Sequence, residues 1–279
     1  MIHLVTDTTA YLPPAMLERW QIHTVPLKVS IGNQSIDEDK ISPEIFYKEL
    51  ERVETAPTTS QPAPGEFIQL YEQLVQNGDE VLSIHISEGL SGTSLVAQMA
   101  AQEVAPDRIT VVDSQVTTCA LALILQATVQ ALEQGASRAA AVSLIHQILQ
   151  NYSAVFMVEN LDYLAKGGRI NGAARFLGTM LNVRPILYLN EGKIEGLTLA
   201  RTRRRGLQQI IKETRKRVGT APIHAAVTHI LCPEDAAAFA EQVQQNFTCA
   251  NFLIHETGPV IGSHVGPGFI GLAACPVEM

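Results

Sequence analysis

The chain has 279 residues, 46% hydrophobic and 17% charged, and carries a net charge of −8 at neutral pH. A chain of this size buries one large core or two moderate ones, and its acidic balance argues against general nucleic-acid binding. Met1 to Ala10 has no basic start followed by a long apolar run, and the longest apolar run, Cys119 to Leu125, falls far short of the roughly 20 residues of a membrane helix. Neither a secretory signal nor a membrane span is expected, and the chain reads as cytoplasmic. Cys119, Cys232, Cys249 and Cys275 show no C-x-x-C or zinc spacing and read as reduced, buried thiols. His3, His23, His85, His146, His224, His229 and His255 show no metal-ligand spacing either, so no metal or other cofactor is expected.

In chain order, Ile2 to Thr6, Val81 to Ser87 and Ile109 to Val112 are short apolar runs rich in β-branched residues, each ending in polar residues before a helical pattern. Helices are predicted at Pro14 to Trp20, Pro43 to Val53, Pro64 to Asn77, Ser94 to Val104 and Thr117 to Gln134. Several begin with proline in the first turn, where its missing N–H costs nothing. The alternation implies an α/β fold with a mostly parallel sheet covered by helices on both faces. Such sheets bind ligands beyond the carboxyl ends of their strands, where Asp7, Ser91 and Ser114 are expected. One more helix, Ser137 to Asn151, precedes a change of pattern. Strands are predicted at Ala154 to Glu159, Arg184 to Leu189, Lys193 to Arg201, His224 to Ile230 and Asn251 to His255, with Asn190-Glu191-Gly192 as a hairpin turn. Two long helices, Gly172 to Leu181 and Arg203 to Val218, interrupt them. The expectation is two domains: residues 1–151, and a smaller α+β unit, 152–279, with a partly antiparallel sheet and the ligand site between them.

Three stretches combine hydroxyls or an imidazole with turn-forming residues: Thr58-Thr59-Ser60-Gln61-Pro62, Leu90-Ser91-Gly92-Thr93-Ser94 and Gly262-Ser263-His264-Val265-Gly266-Pro267-Gly268. Two stand where a helix begins, and free N–H groups there attract anions. The Ser91 hydroxyl and the N–H groups of Gly92 and Thr93 can converge on one oxygen, although Ser91 or Thr93 serves equally as an ordinary N-cap worth about 1 kcal/mol. Thr59 and Ser60 carry the same two readings. His264 lies in a glycine-rich loop, where an adjacent anion would favour the charged imidazole. Arg169, in Gly167-Gly168-Arg169-Ile170, and Arg201 come at turns or strand ends, where each offers a fork to phosphate or serves equally as a surface ion-pair residue. Between Arg201 and Arg217 the basic residues, among them Arg203 and Arg204, greatly outnumber the acidic ones. That run is either a solvated helix face or a docking surface for an acidic or nucleotide-bearing partner.

These motifs, with Val5-Thr6-Asp7-Thr8-Thr9-Ala10, Val112-Asp113-Ser114 and Glu159-Asn160-Leu161-Asp162-Tyr163-Leu164, resemble in order and spacing the DegV family along nearly the whole chain. The resemblance implies a bacterial carrier of a long-chain fatty acid, whose carboxylate is phosphorylated by a separate ATP-binding kinase subunit, with no catalysis by the carrier alone. Thr59 and Ser91 match the positions whose hydroxyls hold the carboxylate, His264 matches the family histidine, and the resemblance implies a role for Arg169 and Arg201 in the interface with the kinase subunit. Thr8, Tyr11, Ser94 and the glycine-free stretch Thr117 to Leu123 depart from the family pattern and bear on pocket shape. Phe176, Leu177, Met180 and Leu181 are expected to line the acyl tunnel. Two alternatives compete. Gly89 to Thr93 approaches G-x-S-x-G, so Ser91 and His264 with Asp113 or Asp7 would make a serine hydrolase. A sugar-phosphate enzyme would use the helix N-termini, without a P-loop or dinucleotide motif.

Overall fold

A computed structural model of the protein describes residues 1–50, 52, 56–178 and 183–277. Strand β1 (Ile2–Asp7) passes through a 3-10 turn, Thr8–Ala10, into α1 (Pro14–Trp20), and β2 (Ile22–Val25) returns parallel to β1. Strands β3 (Lys28–Ile31) and β4 (Gln34–Asp37) form a hairpin, joined after α2 (Pro43–Leu50) by β5 (Thr58–Ser60) in an antiparallel order β4-β3-β5. Helix α3 (Pro64–Val75), β6 (Glu80–His85), α4 (Thr93–Val104) and β7 (Ile109–Asp113) complete a parallel sheet ordered β2-β1-β6-β7. Helices α5 (Thr118–Glu133) and α6 (Arg138–Asn151) follow.

The remaining elements are β8 (Ser153–Met157), α7 (Asp162–Lys166), a 3-10 helix Asn171–Phe176, β9 (Arg184–Asn190), β10 (Lys193–Ala200), α8 (Arg203–Val218), β11 (Ile223–His229), α9 (Pro233–Asn246), β12 (Cys249–Glu256), α10 (Pro259–Val265) and β13 (Ile270–Pro276). Their strands form a mixed sheet, β10-β9-β8-β13-β11-β12, in which β11 and β12 run parallel and the other pairs antiparallel. The β9–β10 turn is the expected one: Glu191 and Gly192 both have positive φ, 48° and 76°, as a two-residue hairpin with the right twist requires.

Strand alternation places the core. In β1, Leu4 and Val5 point into different clusters; in β6, Val81 and Leu82 do the same. In β8, Ala154 and Phe156 face the central cluster, while Val155 and Met157 face α8 and α9. The central cluster therefore lies between the parallel sheet and the mixed sheet, with α5 running through it, and α5 and α6 pack against β13. Helices α3 and α4 cover the outer face of the first sheet, and α8 and α9 the outer face of the second.

Several elements differ from expectation. Gly172 to Leu181 is not a long helix; a 3-10 segment ends at Phe176, and Gly178, at φ 74°, stands outside right-handed helical space. Met180 and Leu181 lie outside the described residues. Strands β2 to β5 and β13, and helices α9 and α10, were not expected from the sequence pattern. His264 consequently sits on helix α10 rather than in a loop. Of the four cysteines only Cys119 and Cys275 are buried; Cys232 and Cys249 are partly exposed. Among the described residues no helix is long and apolar enough to cross a membrane, and no group of three or more His, Cys, Asp or Glu gathers as a metal site.

Candidate functional site

A cavity of about 270 Å³ opens within the central layer. Thr59 and Ser60 reach it from β5, Leu90 and Ser91 from the loop before α4, Arg169 from the loop after α7, and His264 from α10. The rest of its wall is largely apolar, including Leu27, Ile86, Phe156, Leu189, Ile194 and Phe269.

Local chemistry sets each polar group. Helix α10 is short and buried on nearly every side, so its start is held from outside. The Glu38 carboxylate accepts the Val260 N–H (2.7 Å), the Tyr11 hydroxyl (2.7 Å) and the Thr8 hydroxyl (2.7 Å), and the Ile261 N–H donates to the Tyr11 hydroxyl (3.2 Å). Two of the residues that depart from the family pattern, Thr8 and Tyr11, thus form the clasp that positions α10. Burial pushes Glu38 up to about 7 against the pull of these donors. Gly262 brings the helix close to Tyr47, since a Cβ there would meet the Tyr47 hydroxyl at 2.5 Å.

His264 Nε2 and Thr59 Oγ1 share a hydrogen bond of 2.8 Å. The other nitrogen, Nδ1, is buried without a hydrogen-bond partner and lies against Gly167, where a side chain would collide with the ring. Burial, together with the nearby Arg169 charge, holds the imidazole down to about 4, so it is neutral at neutral pH. The Arg169 guanidinium donates from Nε to the Leu90 carbonyl (3.1 Å) and from Nη1 to the Gly167 carbonyl (2.7 Å). The first bond ties the two loops together at the cavity wall, the second steadies the arginine on its own loop, and together they fix a positive charge there.

Ser91 Oγ lies 2.9 Å from Thr93 Oγ1, and the Ser91 N–H donates to the Ser87 carbonyl (3.0 Å). Gly92 caps α4 without a side-chain bond, and the first turn holds no acidic residue, so the helix presents free N–H groups. A Cβ on Gly92 would overlap the Gln61 side-chain amide; glycine lets the Thr58–Pro62 stretch approach the helix start.

Of the residues singled out in the sequence, Thr59, Ser60, Ser91, His264 and Arg169 line this one cavity. Thr93 is fully buried and touches the site through Ser91, and Gly92 lies between them. Asp7 and Ser114, expected at the crevice, are wholly buried and do not line it. Arg201 lines a separate surface groove with Arg205. Arg203 is engaged by Glu159 (3.0 Å), Asp235 (2.6 Å) and the Gly268 carbonyl (2.9 Å), and Arg204 is exposed. Phe176 and Leu177 do not line the cavity; Leu177 is 51% exposed. The apolar wall comes instead from β8, β9, β10, α10 and β13, together with Thr117, Thr118, Cys119 and Ala120 at the start of α5. The family-pattern departure at Thr117 was the sequence signal for that last group.

The hydrolase geometry is not formed. Ser91 pairs with Thr93 and His264 with Thr59; Asp113 accepts the N–H groups of Glu88 and Gln115; Asp7 is bound to His85. A hydroxyl–imidazole–carboxylate chain does exist, Ser83–His85–Asp7 at 2.7 and 3.1 Å, but all three residues are 0% exposed and the Tyr71 hydroxyl donates to Ser83 (2.7 Å). A nucleophile sealed in the core reaches no substrate.

Comparison with known proteins bears on the same geometry. The family model described as "Uncharacterised protein, DegV family" matches residues 1–277. A DegV domain-containing protein of Streptomyces coelicolor is 36% identical over 274 residues, covering 97% of each chain. The solved structure of a DegV family protein from Thermus thermophilus, described by its fatty acid binding, superposes with a TM-score of 0.95 at 35% identity over 99% of both chains. A stearic-acid-binding protein from Eubacterium ventriosum superposes at 0.91 with 26% identity, over 99% of this chain and 98% of that one. With the fold, the order of motifs and the match along the whole described length in agreement, the chain belongs to the DegV family.

Proposed function

We propose that the protein binds a long-chain free fatty acid with its carboxylate among Thr59, Ser91, His264 and Arg169, and presents it to an ATP-dependent kinase subunit for acyl phosphate formation. Ser60 lines the same head-group site, and Gly92 and Thr93 support it through Ser91. One observation carries the reading: a single cavity has the hydroxyls of Thr59, Ser60 and Ser91, the His264 imidazole and the Arg169 guanidinium on its wall and is otherwise mostly apolar, in a fold whose solved relatives are described as fatty acid binders. A methylene chain supplies affinity and the head group supplies register. Burying roughly sixteen carbons is worth on the order of 12 kcal/mol gross, against about 1.5–3 kcal/mol for each hydrogen bond to a charged carboxylate.

In this reading the chain is two units, residues 1–151 and 152–279, and the ligand lies between them: Thr59 and Ser91 come from the first, Arg169 and His264 from the second. The protein has no catalysis of its own, and the exposed Arg201 and Arg204 belong to the surface that meets the kinase subunit. Extraction of lipid from the purified protein under denaturing conditions, followed by mass spectrometry, is the test. A stoichiometric fatty acid is expected. A protein that yields none, and takes up no stearate when it is supplied, overturns the proposal.

A further inference from the structure

The wall of the same cavity carries a polar side chain that the head-group site described above leaves unused. Gln61 directly precedes Pro62, which keeps it out of helical conformation and close to extended backbone. Thr59 and Gln61 alternate with Ser60 along this extended run, so their side chains leave the chain on the same side, and both line the cavity. Gln61 is also exposed to solvent, which puts it where the cavity meets the surface. Its amide lies against Gly92: a Cβ there would stand 2.3 Å from Oε1, 3.0 Å from Cδ and 3.1 Å from Nε2. Gly92 has φ −75° and ψ 8°, values that other residues adopt, so the backbone does not require glycine. What the missing Cβ provides is room for this amide. Oε1 is the amide atom nearest Gly92, at the start of α4, whose free N–H groups favour an oxygen over an NH2. Nε2 then remains as a donor, and among the described residues the amide makes no hydrogen bond. On the other side of Ser91 in sequence, the Leu90 carbonyl accepts the Arg169 guanidinium (3.1 Å), so the two residues that flank Ser91 each hold a donor side chain from another segment.

We propose that Gln61 is a further head-group residue of this cavity: its Nε2 donates to the ligand's carboxylate beside the Ser91 hydroxyl and favours an ionised acid over an uncharged head group. The inference rests on the fatty acid reading above and adds a specificity-determining residue to it. An amide suits the place chemically. A second cation beside Arg169 would disfavour the charged form of His264 still more, whereas an amide adds a donor without adding charge and does not titrate where a carboxylate and an imidazole do.

The test is titration of the delipidated full chain, and of Gln61→Ala and Gln61→Glu, with stearate and with stearyl alcohol at about pH 8, where an introduced glutamate is ionised. Alanine removes the donor; glutamate keeps the size and replaces the donor with a negative charge. Gln61→Ala is expected to weaken stearate by about 3- to 10-fold, the range of one net hydrogen bond. Gln61→Glu should weaken it by more than about 10-fold, since a like charge then faces the carboxylate. Stearyl alcohol, which carries no charge for that glutamate to repel, should bind Gln61→Glu as it binds the unaltered protein. Stearate affinity unchanged in either variant overturns the inference. So does an equal loss of stearate and stearyl alcohol in Gln61→Glu, because a residue that serves only the shape of the cavity does not distinguish the two head groups. An unaltered protein that binds neither ligand would instead strike the fatty acid reading itself, so the two failures are distinguishable.

Discussion

Two hydroxyl–imidazole pairs in this molecule are nearly identical in geometry and opposite in consequence. Ser83 Oγ lies 2.7 Å from His85 Nε2, and Thr59 Oγ1 lies 2.8 Å from His264 Nε2. The first pair is completed by Asp7 on the far nitrogen, by Tyr71 on the serine, and by complete burial. The second borders a cavity and has a guanidinium nearby, and its Nδ1, buried against Gly167, has no partner. A saturated, sealed network stabilises a core, whereas an unsaturated one beside open volume has capacity left for a ligand. Residue type and pair distance do not distinguish a site from a strut; access and unmet hydrogen bonds do.

The comparison is broken most easily at the strut. Asp7 accepts the N–H groups of Thr9 and Ile86, the Thr9 hydroxyl and the His85 ring in the core. Asp7→Ala leaves all of these unpaired and should cost about 4 kcal/mol in urea unfolding. Thr59→Val, by contrast, should cost under about 1 kcal/mol. Equal losses at the two positions would dissolve the distinction.

At the site the order reverses. Arg169→Gln should weaken stearate binding by roughly 10- to 100-fold, as expected for a lost charge-assisted hydrogen bond, and Ser91→Ala by less, with unfolding midpoints close to that of the parent protein. Titration of delipidated protein with stearate measures both. Normal affinity in both variants would remove the carboxylate from this end of the cavity.

A smaller effect separates the clasp from the site through pH. Glu38 titrates near 7 in the folded protein against 4.5 for an ordinary glutamate, so the folded state holds the extra proton and stability declines as pH rises from about 4.5 to about 7. His264 and His255, both lowered to about 4 from 6.5, act oppositely: the unfolded chain holds the extra protons, and stability rises from about pH 4 to 6.5. Glu38→Gln should therefore leave a steeper rise over pH 4.5–6.5. An unchanged slope would mean that Glu38 does not titrate in this range.

The smallest effect is expected on the surface. Reversing the charge of Arg201 and Arg204 should weaken association with the proposed kinase subunit only a few-fold, and less at higher salt, because exposed charges are screened over about 8–10 Å. Lipid content should be untouched. A partner affinity unchanged at low salt would leave these arginines as a solvated face.

What could be read from the sequence follows the range of the interactions involved. The frame of β1, β6, β7 and the helices between them was legible because β-branched runs and proline starts are local signals. Thr59 and Ser91, which line the cavity, drew notice for the same reason, since hydroxyls and glycines at element ends mark turns and caps, whereas Arg169, expected to face phosphate or a partner, lines the cavity as well. Strand β13 was not, because Gly271, Ala273 and Ala274 carry little strand preference and are buried by neighbours on both faces. Helix α10 is buried all round and shows no amphipathic stripe. In α9 the spacing of Ala236, Phe239, Ala240 and Val243 does mark a helical face, but the two alanines add little hydrophobic contrast to that stripe. The apolar wall of the cavity was out of reach, since Phe156, Leu189, Ile194 and Phe269 meet only when the mixed sheet forms. Phe176 and Leu177 were expected on a long helix, where the chain instead forms a 3-10 segment that ends at Phe176.

The most direct measurement follows the His264 ring by NMR through a pH titration, in delipidated protein and in protein saturated with stearate or with stearyl alcohol. Without ligand the ring should stay neutral down to about pH 4. A carboxylate beside it favours the imidazolium, so stearate should raise its titration midpoint and stearyl alcohol, of the same length and uncharged, should not. Stearate binding should then take up protons and strengthen as pH falls towards that midpoint. A His264 titration indifferent to stearate, or moved equally by the alcohol, would contradict a carboxylate held at Thr59, Ser91, His264 and Arg169.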